Sequence, residues 1–162
     1  MNRRRLRRNV RELGLGQRFT VTELAAALAR KRARVLRLRP EALPADGFSG
    51  GLLVTDSVDF VAYQRNTSRV HQDHIICHEF GHLIAGHRTT SVLGAEALRL
   101  LAPNIDPVVV RRMLGRTGYG ADAEREAEYI AEMLMADHIS EWAPRVEWVV
   151  PDSVRRLANT LS

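Results

Sequence analysis

The sequence predicts an α+β fold in which a small twisted β-sheet packs against a central helix and further helices follow toward the C-terminus. Two observations indicate this class. Short runs rich in β-branched and apolar residues, at 35–38, 52–54 and 58–63, are typical of strands. Longer stretches, at 69–86 and 122–139, carry apolar residues three and four positions apart, as one face of a helix does.

Length and charge predict one folded domain with a basic extension. A chain of 162 residues, 45% of them hydrophobic, suffices for one core and is short for two. Six arginines lie among the first eleven residues, so we expect residues 1–19 to form a solvated, partly disordered arm and residues 20–162 to form the domain. The arm could attract nucleic-acid phosphates, but no nucleic-acid-binding motif accompanies its charge.

Cysteine usage and hydropathy favour a cytoplasmic location. Cys77 is the only cysteine, which excludes an intramolecular disulfide and a zinc site built from cysteine pairs. The longest apolar runs fall far short of the about 20 residues that a membrane-spanning helix needs. The arginine-rich N-terminus also lacks the apolar run and cleavage site of a secretory signal.

The remaining elements are predicted from caps and turns. Thr20 or Thr22 can cap a first helix that runs to about Lys31. The pair Asp56-Ser57 separates two apolar runs and predicts a β-hairpin. Further helices are expected at 95–101, 106–115 and 151–161, and an extended segment at 145–150.

The central helix carries a pattern that predicts a metal site. Residues 78–82 read His-Glu-Phe-Gly-His, and histidines four positions apart lie on one helix face, where both imidazoles can reach one ion. Glu79 would lie beside the metal rather than on it, where it can take a proton from the attacking water. Zinc lowers the pKa of water to about 7, so this arrangement is suited to hydrolysis at neutral pH.

Other histidines nearby fit the pattern less well. His74 also stands four residues before His78, but only the pair His78 and His82 has a glutamate directly after its first member. His87 cannot serve as the third ligand of the longer H-E-x-x-H-x-x-G-x-x-H motif, because that motif needs a histidine at position 88, where the chain has arginine.

A third protein ligand is predicted on the downstream helix. Its apolar stripe consists of Ala127, Ile130, Ala131 and Leu134, and carrying the helical offset back from Ala127 by three residues reaches Glu124. A carboxylate in line with a core stripe needs a charge partner, and a dication can be that partner. Glu128, one turn further, is the rival third ligand or a partner of a ligand. These glutamates could also be exposed helix formers near a helix N-terminus.

Two segments together resemble the ImmA/IrrE type of intracellular zinc metallopeptidase. They are His78-Glu79-Phe80-Gly81-His82-Leu83-Ile84 and Glu124-Arg125-Glu126-Ala127-Glu128-Tyr129-Ile130-Ala131. The resemblance implies a zincin-like minimal metallopeptidase fold, a Zn²⁺ cofactor held by His78, His82 and Glu124, and Glu79 as the general base. Ile130 and Asp137 depart from the family's usual aromatic and proline at those positions.

The resemblance also implies a regulatory role. Such enzymes typically cleave or antagonise a helix-turn-helix repressor, and so switch on mobile-element or stress genes. This chain has no convincing recognition helix, so the repressor is expected on a separate chain. We expect the peptide to extend along residues 58–63 at an exposed sheet edge. A zinc-containing protein that only binds and titrates the repressor is the alternative. The residue that stabilises the oxyanion stays open among three candidates, which are Tyr119, Tyr129 and His138.

Overall fold

The computed structural model of the chain describes residues 2–43, 49–54, 58–87, 119–140, 148–149 and 151. Within these ranges the chain forms four helices and four strands. In chain order they are α1 (Arg3–Glu12), α2 (Val21–Arg32), β1 (Val35–Glu41), β2 (Gly50–Val54), β3 (Val58–Gln64), α3 (Arg69–Ala85), α4 (Ala121–Asp137) and β4 (Trp148–Val149). The predicted α+β class is confirmed.

The strands form a small mixed sheet in the order β2-β3-β1-β4, in which β4 contributes only two residues. β2 and β3 pair antiparallel, from Gly50 opposite Tyr63 to Val54 opposite Asp59, which confirms the predicted hairpin strands. β1 lies parallel to β3 on its other side.

Because β3 is paired on both sides, the expectation that a peptide adds to residues 58–63 is wrong. In the described part of the sheet, β2 is an edge strand: one of its edges pairs with β3 and the other has no partner strand.

The central helix α3 lies between the sheet and α4. It contacts β2 and β3 on one side and packs along α4 on the other. Phe80 and Ile76 of α3 are fully buried, together with Ile130 and Leu134 of α4 and Val61 of β3. Burial of these apolar side chains is the main force that holds the helix pair on the sheet.

The N-terminal segment differs from the expected arm. Residues 3–12 form the helix α1, in which Leu6 and Val10 are 1% and 3% exposed and belong to the same core cluster as α2, α3 and α4. The six arginines occupy other positions of the helix and are all exposed, so Leu6 and Val10 form a single apolar stripe on a highly charged helix. The expectation of a solvated, partly disordered segment is therefore wrong for residues 3–12. The domain boundary at residue 20 stays a prediction.

The helix caps explain why α2 begins where the sequence predicts. Thr20 accepts a hydrogen bond from the Glu23 backbone N–H at 3.1 Å, and the Glu23 carboxylate accepts one from the Thr20 N–H at 2.7 Å. This reciprocal capping box satisfies two backbone donors that the helix itself leaves unpaired.

The helices predicted at 95–101, 106–115 and 151–161 lie outside the described residues, apart from position 151. No described helix has the length and apolar character to cross a membrane.

Candidate metal centre

The helix α3 presents two of its four histidines, His78 and His82, on one face. Ser68 caps its first turn, and Gly86 ends it in a left-handed conformation with φ +75°. Between these caps, His78 and His82 lie one turn apart with their Nε2 atoms 3.3 Å from each other. The face that they share is directed at α4, which supplies the rest of the cluster.

A close approach of two backbones brings α4 to these histidines. A Cβ atom added to Gly81 would lie 2.8 Å from the Ala127 carbonyl oxygen, which is closer than real Cβ atoms come, and 3.0 Å from the Ala127 Cα. Glycine at position 81 and the small Ala127 therefore allow the helices to touch. Glu124 lies one turn before Ala127 on the same stripe, so it reaches the histidine face. All four predicted stripe residues, Ala127, Ile130, Ala131 and Leu134, are fully buried.

Three side chains converge as a group that could hold a metal ion. Glu124 Oε2 lies 3.1 Å from His78 Nε2, and Glu124 Oε1 lies 3.8 Å from His82 Nε2. One ligand atom from each residue lies within 4.8 Å of the others. Two imidazole nitrogens and one carboxylate oxygen are a donor set that suits zinc and other divalent transition metals. The His82 side chain is 1% exposed and that of Glu124 is 46% exposed, so the group is covered on one side and open on the other.

Glu128 contacts the opposite nitrogen of His78. Its Oε2 lies 2.9 Å from His78 Nδ1, and its Oε1 lies 2.9 Å from His74 Nε2. If His78 carries its proton on Nδ1, this N–H donates to Glu128 and the lone pair of Nε2 is available to a metal. Of the two rival glutamates, Glu124 belongs to the candidate metal group and Glu128 joins His74 and His78.

Glu79 is buried beside the group without belonging to it. Its side chain points toward β2, and Oε1 lies 3.6 Å from the position that a Cβ atom on Gly50 would occupy. Burial raises the pKa of Glu79 to about 7, the charge of His78 opposes this rise, and Glu124 adds to it. A carboxyl group with a pKa near neutrality can both accept and return a proton.

The pKa values of His78 and His82 are shifted in opposite directions. Burial lowers the pKa of His82 to about 3, helped by the charges of His78 and His87, so its imidazole is neutral at physiological pH. Burial also opposes protonation of His78, but its hydrogen bond with Glu128 and the charges of Glu79 and Glu124 outweigh it and raise the pKa of His78. A neutral imidazole is the form that binds a metal.

Sequence reasoning did not predict the contacts of His87 and Tyr119 with His82, or that of Glu126 with His87. His87 Nδ1 lies 3.0 Å from His82 Nδ1, and His87 Nε2 lies 2.8 Å from Glu126 Oε2. The Tyr119 ring stacks on His82, with centroids 3.6 Å apart and planes 13° apart. For His87 a signal existed, because a glycine after a helix turns the chain back and the His87 N–H then donates to the His82 carbonyl at 3.0 Å. For Tyr119 we find no such local signal.

The three oxyanion candidates lie in different surroundings. The Tyr119 hydroxyl is buried and has no hydrogen-bond partner among the described residues. The His138 ring stacks on Phe19, and its Nδ1 lies 2.8 Å from the Gln17 carbonyl oxygen, at the C-terminal end of α4. Tyr129 is half-buried on α4. Cys77 is fully buried and packs in the core cluster.

Fold and site together define a small α+β protein with a His-His-Glu group that could bind a metal. No protein-family model, no curated protein and no solved structure matches the chain. The resemblance to the ImmA/IrrE type therefore stays a prediction that rests on the two sequence segments.

Proposed function

We propose that this chain is a zinc metallo-endopeptidase of the ImmA/IrrE type. The observation that carries the proposal is the convergence of His78 and His82, from one helix, with Glu124, from another, next to the buried Glu79. His78, His82 and Glu124 would hold the zinc ion. A bound zinc ion would supply Lewis-acid activation of water and polarise the peptide carbonyl.

Glu79 is the general base in this proposal. It follows the first ligand directly in sequence, so it stands beside the ion rather than on it. With a pKa raised to about 7 by burial, its carboxylate takes a proton from the attacking water and passes it to the leaving amine nitrogen. The peptide bond breaks, and one water molecule is consumed for each bond.

The peptide substrate is best accommodated at β2. This strand has one neighbour in the described sheet, β3, so its other edge can accept the main-chain hydrogen bonds of an extended peptide. Gly50 opens β2 and lies close to the Glu79 carboxylate, which would bring such a peptide next to the base. From the resemblance, the substrate is a helix-turn-helix repressor on a separate chain.

The substitution Glu79→Gln tests the mechanism. It removes the proton acceptor but none of the three ligands, so the variant should keep wild-type zinc content and lose cleavage of the cognate repressor. Zinc is measured by metal analysis of the purified protein, and cleavage by gel assay and by a repressor-controlled reporter. Wild-type cleavage rates in the variant would exclude Glu79 as the base.

A matched substitution on α4 separates metal loss from loss of the base. Glu124→Gln should lose both zinc and cleavage, whereas Glu132→Gln, on the exposed face of the same helix, should lose neither. If Glu79→Gln relieves repression as well as the wild type does, the protein titrates its repressor instead of cutting it.

A further inference from the structure

The ring of His82 is contacted on three sides. Its Nε2 faces the candidate ligand group, one face lies against Tyr119, and its Nδ1 faces His87 Nδ1 at 3.0 Å. Two imidazole nitrogens at this distance form a hydrogen bond only if one carries a proton and the other does not. The directions of the hydrogen bonds around His82 are therefore coupled.

Metal binding at His82 Nε2 would determine which nitrogen donates and which accepts in each of these hydrogen bonds. If His82 gives the lone pair of Nε2 to an ion, a neutral His82 must carry its proton on Nδ1. His87 Nδ1 then accepts a hydrogen bond from the His82 Nδ1–H. A neutral His87 therefore carries its own proton on Nε2. That nitrogen lies 2.8 Å from Glu126 Oε2, which can only accept when ionised.

We infer that His87 and Glu126 are positioning residues for the metal ligand His82. They form a directed hydrogen-bond chain, from His82 Nδ1–H to His87 Nδ1 and from His87 Nε2–H to Glu126. The chain holds His82 in the tautomer and ring orientation that present Nε2 to the ion. The inference rests on metal binding in the proposed function, and it is independent of peptidase activity.

Local backbone structure puts His87 in place. Gly86 adopts a left-handed φ of +75°, which turns the chain back at the end of α3. The His87 N–H then donates to the His82 carbonyl at 3.0 Å, so the backbone contact and the ring contact join the same two residues. The His87 side chain is 13% exposed, which limits the competition of water for its hydrogen bonds.

The two metal-facing histidines are thus supported in different ways. His78 Nδ1 contacts a carboxylate directly, that of Glu128 at 2.9 Å. His82 reaches its carboxylate only through His87. The glutamates at 124, 126 and 128 would accordingly have separate roles, the first on the ion and the other two behind its histidine ligands.

Zinc affinity of purified variants tests the inference. We expect His87→Phe, which fills the space but can neither accept nor donate, to weaken zinc binding by about 10- to 100-fold in a chelator competition assay. His87→Gln should recover much of this loss, because its amide oxygen can accept from His82 and its amide NH₂ can donate to Glu126. Glu126→Gln should lose part of the affinity, and Glu132→Gln should lose none.

Nitrogen-15 NMR of the zinc-loaded wild type gives a second readout that needs no variant. The inference predicts a proton on His82 Nδ1 and a proton on His87 Nε2. A His87 that carries its proton on Nδ1 instead, or a His87→Phe variant that is folded and binds zinc as tightly as the wild type, overturns it. Failure of the proposed function looks different, because then the wild type itself binds no zinc or Glu124→Gln binds it equally well.

Discussion

The Tyr119 side chain has a ring that is packed against a neighbour and a hydroxyl group that makes no hydrogen bond within the described residues. The ring stacks on His82 of the candidate metal group, whereas the buried hydroxyl has no hydrogen-bond partner within the described ranges. Burial and the charges of Glu79 and Glu124 raise its pKa, so the phenol keeps its proton at neutral pH. An unpaired buried donor costs free energy in the resting protein, and this cost is recovered if a substrate oxygen accepts its hydrogen bond. Of the three oxyanion candidates, Tyr119 is the best supported.

The pair of substitutions Tyr119→Phe and Tyr119→Ala separates these two roles. The phenylalanine variant keeps the ring on His82, so zinc affinity should be unchanged while kcat falls by about 10²- to 10³-fold, as for other oxyanion donors. The alanine variant should also bind zinc less tightly, because His82 loses its stacking partner. The kcat is measured with the cognate repressor as substrate, and the zinc affinity is measured by chelator competition. An unchanged kcat in the phenylalanine variant would rule out the hydroxyl.

At the scale of elements, the contact between α3 and α4 determines whether the metal group can form. His78 and His82 come from α3 and Glu124 comes from α4, so the distance between the helices sets the distance between the ligands. Gly81 and Ala127 allow that distance to be short. Within His-Glu-Phe-Gly-His, Phe80 and Gly81 are therefore structural, since Phe80 is fully buried in the core and Gly81 makes the helix contact.

The substitution Gly81→Ala tests the helix contact. Its new methyl group would meet the Ala127 backbone, which cannot rotate away, so we expect about 1–3 kcal/mol of destabilisation and weaker zinc binding. Urea unfolding of the metal-free protein and zinc competition measure the two effects. In an uncrowded helix, glycine to alanine stabilises by about 1 kcal/mol, so the sign of the change in stability reports whether the helices are in contact. A stabilised variant would contradict the close approach.

At the scale of the whole molecule, α1 belongs to the same core as α3 and α4, the helices that carry the candidate metal group. Leu6 is 1% exposed, and Arg3 of the same helix forms an ion pair of 3.1 Å with Asp137 at the end of α4. The ion pair is exposed and adds little stability, so burial of the apolar stripe holds α1 in place. A segment that composition alone assigns to solvent thus contributes to the fold.

Replacement of one stripe residue measures this contribution. Leu6→Ala should lower the free energy of unfolding by about 2–5 kcal/mol, as for other fully buried leucines. Arg4→Ala, at an exposed position of the same helix, should change it by less than about 0.5 kcal/mol. Urea denaturation with a chelator present keeps metal binding out of the comparison. Equal stability of the two variants would show that α1 does not pack in solution.

Local periodicity by itself determined much of this protein. The helix that carries His78 and His82, the hairpin strands and the alignment of Glu124 with a buried stripe all follow from residues within a few turns of one another, because helix and strand geometry repeat over short distances. Tertiary structure alone decided the docking of α1, the identity of the edge strand, and the contacts of His82 with Tyr119 and of His87 with Glu126. These contacts join residues about 40 positions apart, and their formation depends on how closely α3 packs against α4, which no local pattern encodes.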